Sequence, residues 1–297
     1  MQTEEQLNAD VTEVTTPTKS AETKDFAFDK NPIEVAINLT PNSEKPIYAT
    51  HVFRKPTFKE ESDRERETPL EITEVGKVEG KDGTKMTIDS EPANIKLYDK
   101  IIQSVSGYAL NSGGKPENDV LPDATIEVKG VPTTVRELIP DTHKNTAITG
   151  IFDSSFELED AGDNFVFALG GSREHVVRED VGGKVKQADG TLSDPDYQIY
   201  YTFREPTEEE RKTYRKDAST PVTLRDVKTQ TITERRSTNL SVVRDLFDAL
   251  IQNVEGGTVG GNPINVGNKE HLKQISGFSK KGAVIKLMNG LDVELKN

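Results

Sequence analysis

Four histidines, His51, His143, His175 and His271, are the side chains of this sequence best suited to moving protons near neutral pH. They are scattered along the chain, and none stands in a recognisable nucleophile setting. Cysteine is absent, which removes a thiolate nucleophile, a thiolate metal site and a disulfide framework together. A serine nucleophile would need a base and a group to orient that base. His51 falls on the inward face of an expected strand and reads as a packed or half-exposed side chain. Glu174-His175 with Glu179 and Asp180 offers carboxylates beside one imidazole, whereas a zinc-protease helix needs two histidines around a glutamate. The acidic stretches Glu159 to Asn164 and Asp194-Pro-Asp196 could hold calcium with oxygen ligands; neither has EF-hand spacing, and solvated turns explain both equally well. Gly170-Gly171-Ser172 and Gly182-Gly183-Lys184 lack the order of a phosphate cradle, because Lys184 is followed by Val185. The expectation is a non-enzymatic protein with no catalytic, cofactor-binding or metal-ligating residue.

The elements that would carry these residues occur twice. Leu97 to Gly107 and Leu246 to Gly256 agree at Leu, Asp, Ile, Gln, Val and Gly. Ile47 to Thr57 parallels Tyr197 to Thr207 at an offset of 150, and this match sets His51 against Tyr201. Ile139 to Phe152 against Ile275 to Met288 is a third pair in the same order. Self-similarity in a fixed order is the mark of a repeated structural unit. It predicts a tandem duplication of a small α+β domain, each copy an antiparallel sheet with two to three helices. An extended polar arm over 1–28 precedes domains over 29–160 and 161–297.

Within each unit the pattern is specific. Ile33, Val35, Ile37 and Leu39 alternate with polar or small residues as a half-buried strand does, and Ile47 to Phe53 follows as its partner. Thr57 with Glu60, and Thr207 with Glu210, form Thr-x-x-Glu capping boxes that open two charged helices, expected on the surface. Leu70 to Ile88 reads as a hairpin turning at Lys81-Asp82-Gly83, with Val222 to Ile232 as its shorter counterpart. The apolar spacing of Leu97, Tyr98, Ile101, Ile102 and Val105 predicts an amphipathic helix over Ile95 to Val105, ended by Gly107. Val243 to Val254 repeats it, ended by Gly256. Gly/Asn loops at 111–116 and 256–263 follow, then helical stretches over Val135 to Phe152 and Leu272 to Met288. Short strands over Phe156 to Leu158 and Leu291 to Leu295 would close the units. Phe165 to Leu169, Val176-Val177 and Asp189-Gly190 would form a hairpin-like entry to the second.

Composition narrows the classes further. Of 297 residues, 33% are hydrophobic and 30% charged, with a mean hydropathy of −0.64, which suits two modest cores better than one large one. The net charge of −13 is uneven: residues 201–297 hold 16 Lys/Arg against 13 Asp/Glu, leaving −16 for residues 1–200. An acidic body argues against a nucleic-acid partner, since phosphate affinity depends on clustered cations. The same asymmetry could steer a head-to-tail contact between copies. No apolar run reaches bilayer length, and the first residues lack a basic region followed by an apolar stretch. The expectation is a chain made in a cytoplasm, with no membrane partner.

Tyr201-Thr-Phe-Arg-Glu-Pro-Thr-Glu-Glu-Glu-Arg, Phe247-Asp-Ala-Leu-Ile-Gln-Asn-Val-Glu-Gly and Glu137-Leu-Ile-Pro-Asp-Thr-His-Lys144 resemble segments of small structural or tail-assembly proteins of tailed bacteriophages. The resemblance implies a virion protein, acting as capsid decoration, connector or tail component. Its partners would be other virion proteins or copies of itself, with the arm bound to a neighbouring subunit. A soluble tail-assembly chaperone is the alternative within that class. A glycan-binding module, using the loops at 111–116 and 256–263, is the alternative outside it.

Overall fold

The computed structural model describes residues 24–40, 45–68, 70–78, 81–110, 114–159, 174–182, 194–225 and 232–294. Alternation builds the first sheet. β2 (Ile33–Asn38) and β3 (Tyr48–Phe53) pair antiparallel, and the buried face of β3 carries Ala49, His51 and Phe53. The capping box of Thr57 and Glu60 opens α1 (Phe58–Glu67). The hairpin β4 (Leu70–Val78) and β5 (Lys81–Ile88) leads to α2 (Glu91–Ile101) and β6 (Ile102–Ser106), which joins the far edge of β3. A small hairpin, β7 (Thr125–Val128) and β8 (Val131–Thr134), precedes α3 (Val135–Leu138) and α4 (Asp141–Ile151). Leu97, Tyr98 and Ile101 of α2, with Ala147 and Ile148 of α4, cover the sheet and complete one core.

A second core has matching parts. β10 (Glu174–Val181) and β11 (Tyr197–Arg204) pair antiparallel, and α5 (Glu208–Asp217) opens with the capping box of Thr207 and Glu210. The hairpin β12 (Ser219–Arg225) and β13 (Ile232–Thr238) leads to α6 (Leu240–Leu250), then β14 (Ile251–Glu255), which joins the edge of β11. β15 (Gly257–Val259), β16 (Asn262–Pro263), α7 (Lys269–Gln274) and α8 (Gly277–Glu294) complete the chain. Tyr201, Phe203, Phe247, Leu250 and Leu287 are fully buried there. Burial of such a side chain contributes about 1.5–3 kcal/mol. Among the described residues the fold is mixed α+β, with eight helices and several small, mainly antiparallel sheets. None of those helices is long and apolar enough to cross a membrane.

Several expectations are corrected. The predicted core helices stop at Ile101 and Leu250, and their last apolar residues form β6 and β14 instead. Apolar residues at 98, 101, 102 and 105 satisfy a helical face, but β3 needed a third strand to bond its open edge, and tertiary pairing overrides the local period. Gly107 and Gly256 therefore end strands, not helices. The hairpin turns earlier than expected, since Lys81 already pairs with Val78 and Gly83 with Val75. The strand near Phe156, β9 (Ser154–Leu158), pairs with β10 and so extends the second sheet instead of closing the first. Leu291 to Glu294 is the end of α8. The expected entry elements over 165–169 and 189–190, and arm residues 1–23, lie outside the described residues. At the end of the arm, β1 (Phe26–Ala27) runs parallel to β15, and Phe28 is buried in the second core of the same chain.

The two halves meet along one shared sheet, ordered β12-β13-β4-β5, in which β13 pairs antiparallel with β4.

Candidate functional site

A matched local constraint is built at the ends of β3 and β11. A register shift interrupts the ladder between Val52 and Phe53, and another between Thr202 and Phe203. Just beyond each shift an arginine grips the glutamate of the following capping box. Arg54 donates to Glu60 at 2.9 and 2.6 Å, and Arg204 donates to Glu210 at 2.9 and 2.6 Å. Each guanidinium also reaches the end of the core helix, at the carbonyls of Lys100 (3.1 Å) and Ala249 (3.2 Å). The arginine hydrogen bonds hold both carboxyls down at about 2. One clamp thus fixes strand, cap and helix together in each half.

Between the halves lies a cleft of about 360 Å³, lined by Phe28, Lys55, Glu61, Glu179, Phe278 and Ser279 among others. The Lys55 Nζ donates to the carbonyls of Phe28 (2.7 Å) and Gln274 (2.6 Å), stitching the arm and α7 to the first half. Burial draws the Lys55 pKa down. The Glu61 carboxylate accepts from the Gly277 amide at the start of α8, at 2.5 Å, where an N-terminal helix dipole favours negative charge. Burial nevertheless pushes its pKa up to about 7, against the pull of that amide and of Lys55. Glu65, one turn on, pairs with Lys281. Arg244 of α6 lies over the Phe58 ring, 4.5 Å from its centre. The helix α1 was expected on the surface, yet it is wedged between the halves with Glu61 and Glu65 buried. Its counterpart α5 buries no residue.

Glu179 is buried deeper in the same cleft. It accepts from the hydroxyls of Tyr201 (2.6 Å), Ser154 (2.9 Å) and Ser279 (3.0 Å). Burial raises its pKa while the three hydroxyls lower it. The cluster ties β9, β10, β11 and α8 into one body. In the first core His51 does the comparable work. Its Nδ1 lies 2.8 Å from the Tyr98 hydroxyl and its Nε2 3.1 Å from Tyr108, whose hydroxyl is 3.0 Å from His143 Nδ1. Burial, then the nearby His143, push His51 down to about 4, so the ring is neutral at physiological pH.

Two histidines that looked scattered are therefore brought to one tyrosine. Sequence spacing hides this, because Tyr108 lies beyond the turn at Gly107. His175 is buried and pairs with Glu205, while the His271 Nδ1 accepts from the Asn265 amide at 3.1 Å. Glu174, His175, Glu179 and Asp180 alternate across β10 and do not converge. Among the described residues no group of three or more His, Asp or Glu is placed to hold a metal ion. Asp160 to Asn164, residues 111–113, Gly170 to Ser172, and Gly183 with Lys184 lie outside those residues. The expected loop at 256–263 is the β15–β16 hairpin, with β1 along its edge. Lys55 and Glu61, which the sequence reading passed over, carried no signal beyond their place around a capping box.

No family model, curated protein or solved structure matches this chain.

Proposed function

We propose that this protein is a non-enzymatic structural subunit that acts through protein–protein contacts. In this reading it is a component of a tailed-phage virion, as capsid decoration, connector or tail protein, built from one ancestral module copied in tandem. The observation that carries the proposal is the use of the polar groups in the cleft. Lys55, Glu61 and Glu179 each spend their hydrogen bonds on joining segments of the chain.

Matched geometry supports the tandem origin. His51, Phe53 and Tyr98 form a triangle of rings with centroids 6.2, 5.6 and 5.5 Å apart; Tyr201, Phe203 and Phe247 form one at 6.4, 5.6 and 5.4 Å. Lys144 pairs with Asp99 at 3.0 Å, as Lys280 does with Asp248 at 2.6 Å. Two modules in one chain suit a subunit that fills two quasi-equivalent places in an assembly.

Mass spectrometry of purified particles tests the proposal. A fixed copy number per particle is the expected result. Detection in infected-cell lysate but absence from finished particles would instead favour an assembly chaperone.

A further inference from the structure

The joint between the halves is of a kind that repeats. β4 and β12 are counterparts, each following its capping-box helix at an offset of 150, as Phe58 and Glu208 show. β5 and β13 are counterparts at about 149, the offset between α2 and α6. The hairpin registers agree: the pair Leu70↔Ile88 translates to Thr220↔Ser237, which is an observed pair. Inside the chain, β4 of the first half pairs with β13 of the second. A two-fold arrangement would have paired β4 with β12, or β5 with β13. The contact is therefore head to tail, and among the described residues it leaves β12 and β5 as the two outer edges of the shared sheet.

We propose that a second copy of this chain docks on these edges, β12 of one copy pairing antiparallel with β5 of the next, so that the joint within the chain is repeated between chains. This rests on the structural-subunit reading and gives it a partner and a surface. Unpaired strand edges are templates for another chain, and a heterologous contact of this type generates rings or filaments. Translating Thr73↔Thr233 and Ile72↔Glu234 by the same offsets sets Thr223 opposite Thr84 and Val222 opposite Lys85. Pro221 costs this ladder at most one bond, since successive residues bond to opposite sides.

The helices point the same way. Within the chain α1 wedges against the start of α8, Glu61 on the Gly277 amide and Glu65 on Lys281. Their counterparts on α5 are Arg211 and Arg215, and the counterpart of Gly277 is the exposed Asp141 at the start of α4. At the external joint the pair matching Glu61 and Gly277 would be Arg211, which also bonds Glu205 of its own half, against the acid Asp141. α5, with no buried residue, is the helix left to fill that place. The net charge of +3 over residues 201–297 against −16 over the rest would steer this encounter.

The chain has no cysteine, so disulfides introduced at chosen positions report the pairing. Directly opposed residues of antiparallel strands have Cα atoms about 4.5–5.5 Å apart, within disulfide reach. Oxidation of the full-length Thr84→Cys/Thr223→Cys variant is expected to give a reducible ladder of covalent multimers. The two positions cannot join within one chain, being three strand spacings or roughly 14 Å apart. Mixing the two single variants is expected to give dimer at least ten-fold above either alone, and ultracentrifugation of the unmodified protein a mass above 32.8 kDa. The Thr73→Cys/Thr233→Cys pair reports the internal joint. Closure of that pair with Thr84→Cys/Thr223→Cys remaining monomeric overturns the proposal, and so does failure of the internal pair to close. Particle-bound but monomeric protein would remove the self-contact and leave the virion reading standing.

Discussion

The Glu61 carboxylate lies 2.5 Å from the amide nitrogen of Gly277, so a buried acid of the first half caps a helix of the second. Its folded-state pKa of about 7 stands above the ordinary 4.5. Between those values the folded protein keeps a proton that the unfolded chain releases, so stability falls as pH rises through that window. The full difference is about 3 kcal/mol at 1.36 kcal/mol per unit. Glu61→Gln keeps an acceptor for Gly277 and removes the charge. The variant should match the parent near pH 4.5 and exceed it by up to about 3 kcal/mol above pH 8. Urea unfolding at four pH values checks this, and a constant difference across them would contradict it.

The two arginine clamps should behave as independent units. Glu60 and Glu210 are held near 2, below the ordinary 4.5, so their contribution is present above pH 4.5 and lost as pH falls toward 2. The Arg54 and Arg204 side chains are about one-third exposed, and solvent screening discounts the pair accordingly. Glu60→Gln and Glu210→Gln are each expected to cost about 1–2 kcal/mol at pH 7, the cap included. Their double variant should cost the sum, because the sites share no partner. A coupling above about 1 kcal/mol would mean that the halves do not hold their clamps separately.

His51 reports the first core alone. With its pKa at about 4 against an ordinary 6.5, its contribution is complete above pH 6.5 and disappears as pH falls toward 4. His51→Gln should erase a pH dependence of about 3 kcal/mol over that interval. It should also cost about 1–3 kcal/mol at pH 8, where the Tyr98 and Tyr108 hydroxyls lose a fitted partner. Proton NMR of the imidazoles gives the direct check: the His51 resonance should stay flat down to pH 5.

Capping boxes, strand alternation and the core residues of α2 and α6 were legible because each depends on neighbours within one or two turns. The wedge of α1 was not, because Glu61 and Glu65 sit on a helix whose composition is that of a solvated surface. Packing against β13, α6 and α8, all distant in sequence, turns them into buried groups. β6 and β14 escape detection for a related reason, since their apolar residues keep helical spacing and only irregular pairing with the open edge of β3 or β11 makes strands of them. The histidine–tyrosine chain depends on a turn that reverses the backbone at Gly107, which spacing alone cannot display.

That turn yields the sharpest test of the corrected strand ends. Gly107 and Gly256 have φ of +91° and +76°, a region costly for any residue with a Cβ. A Cβ at Gly107 would also lie 2.6 Å from the Tyr48 carbonyl oxygen, and one at Gly256 2.1 Å from that of Gln198. Both obstacles are backbone of a neighbouring strand and cannot swing aside. Gly260 has a similar φ of +59° with nothing within 4 Å, so it isolates the conformational cost from the steric one. Gly260→Ala should cost about 1 kcal/mol, and Gly107→Ala and Gly256→Ala clearly more, upwards of about 3 kcal/mol each. If these two glycines capped exposed helix ends, all three substitutions would cost alike, and equal unfolding midpoints for the three variants would restore that reading.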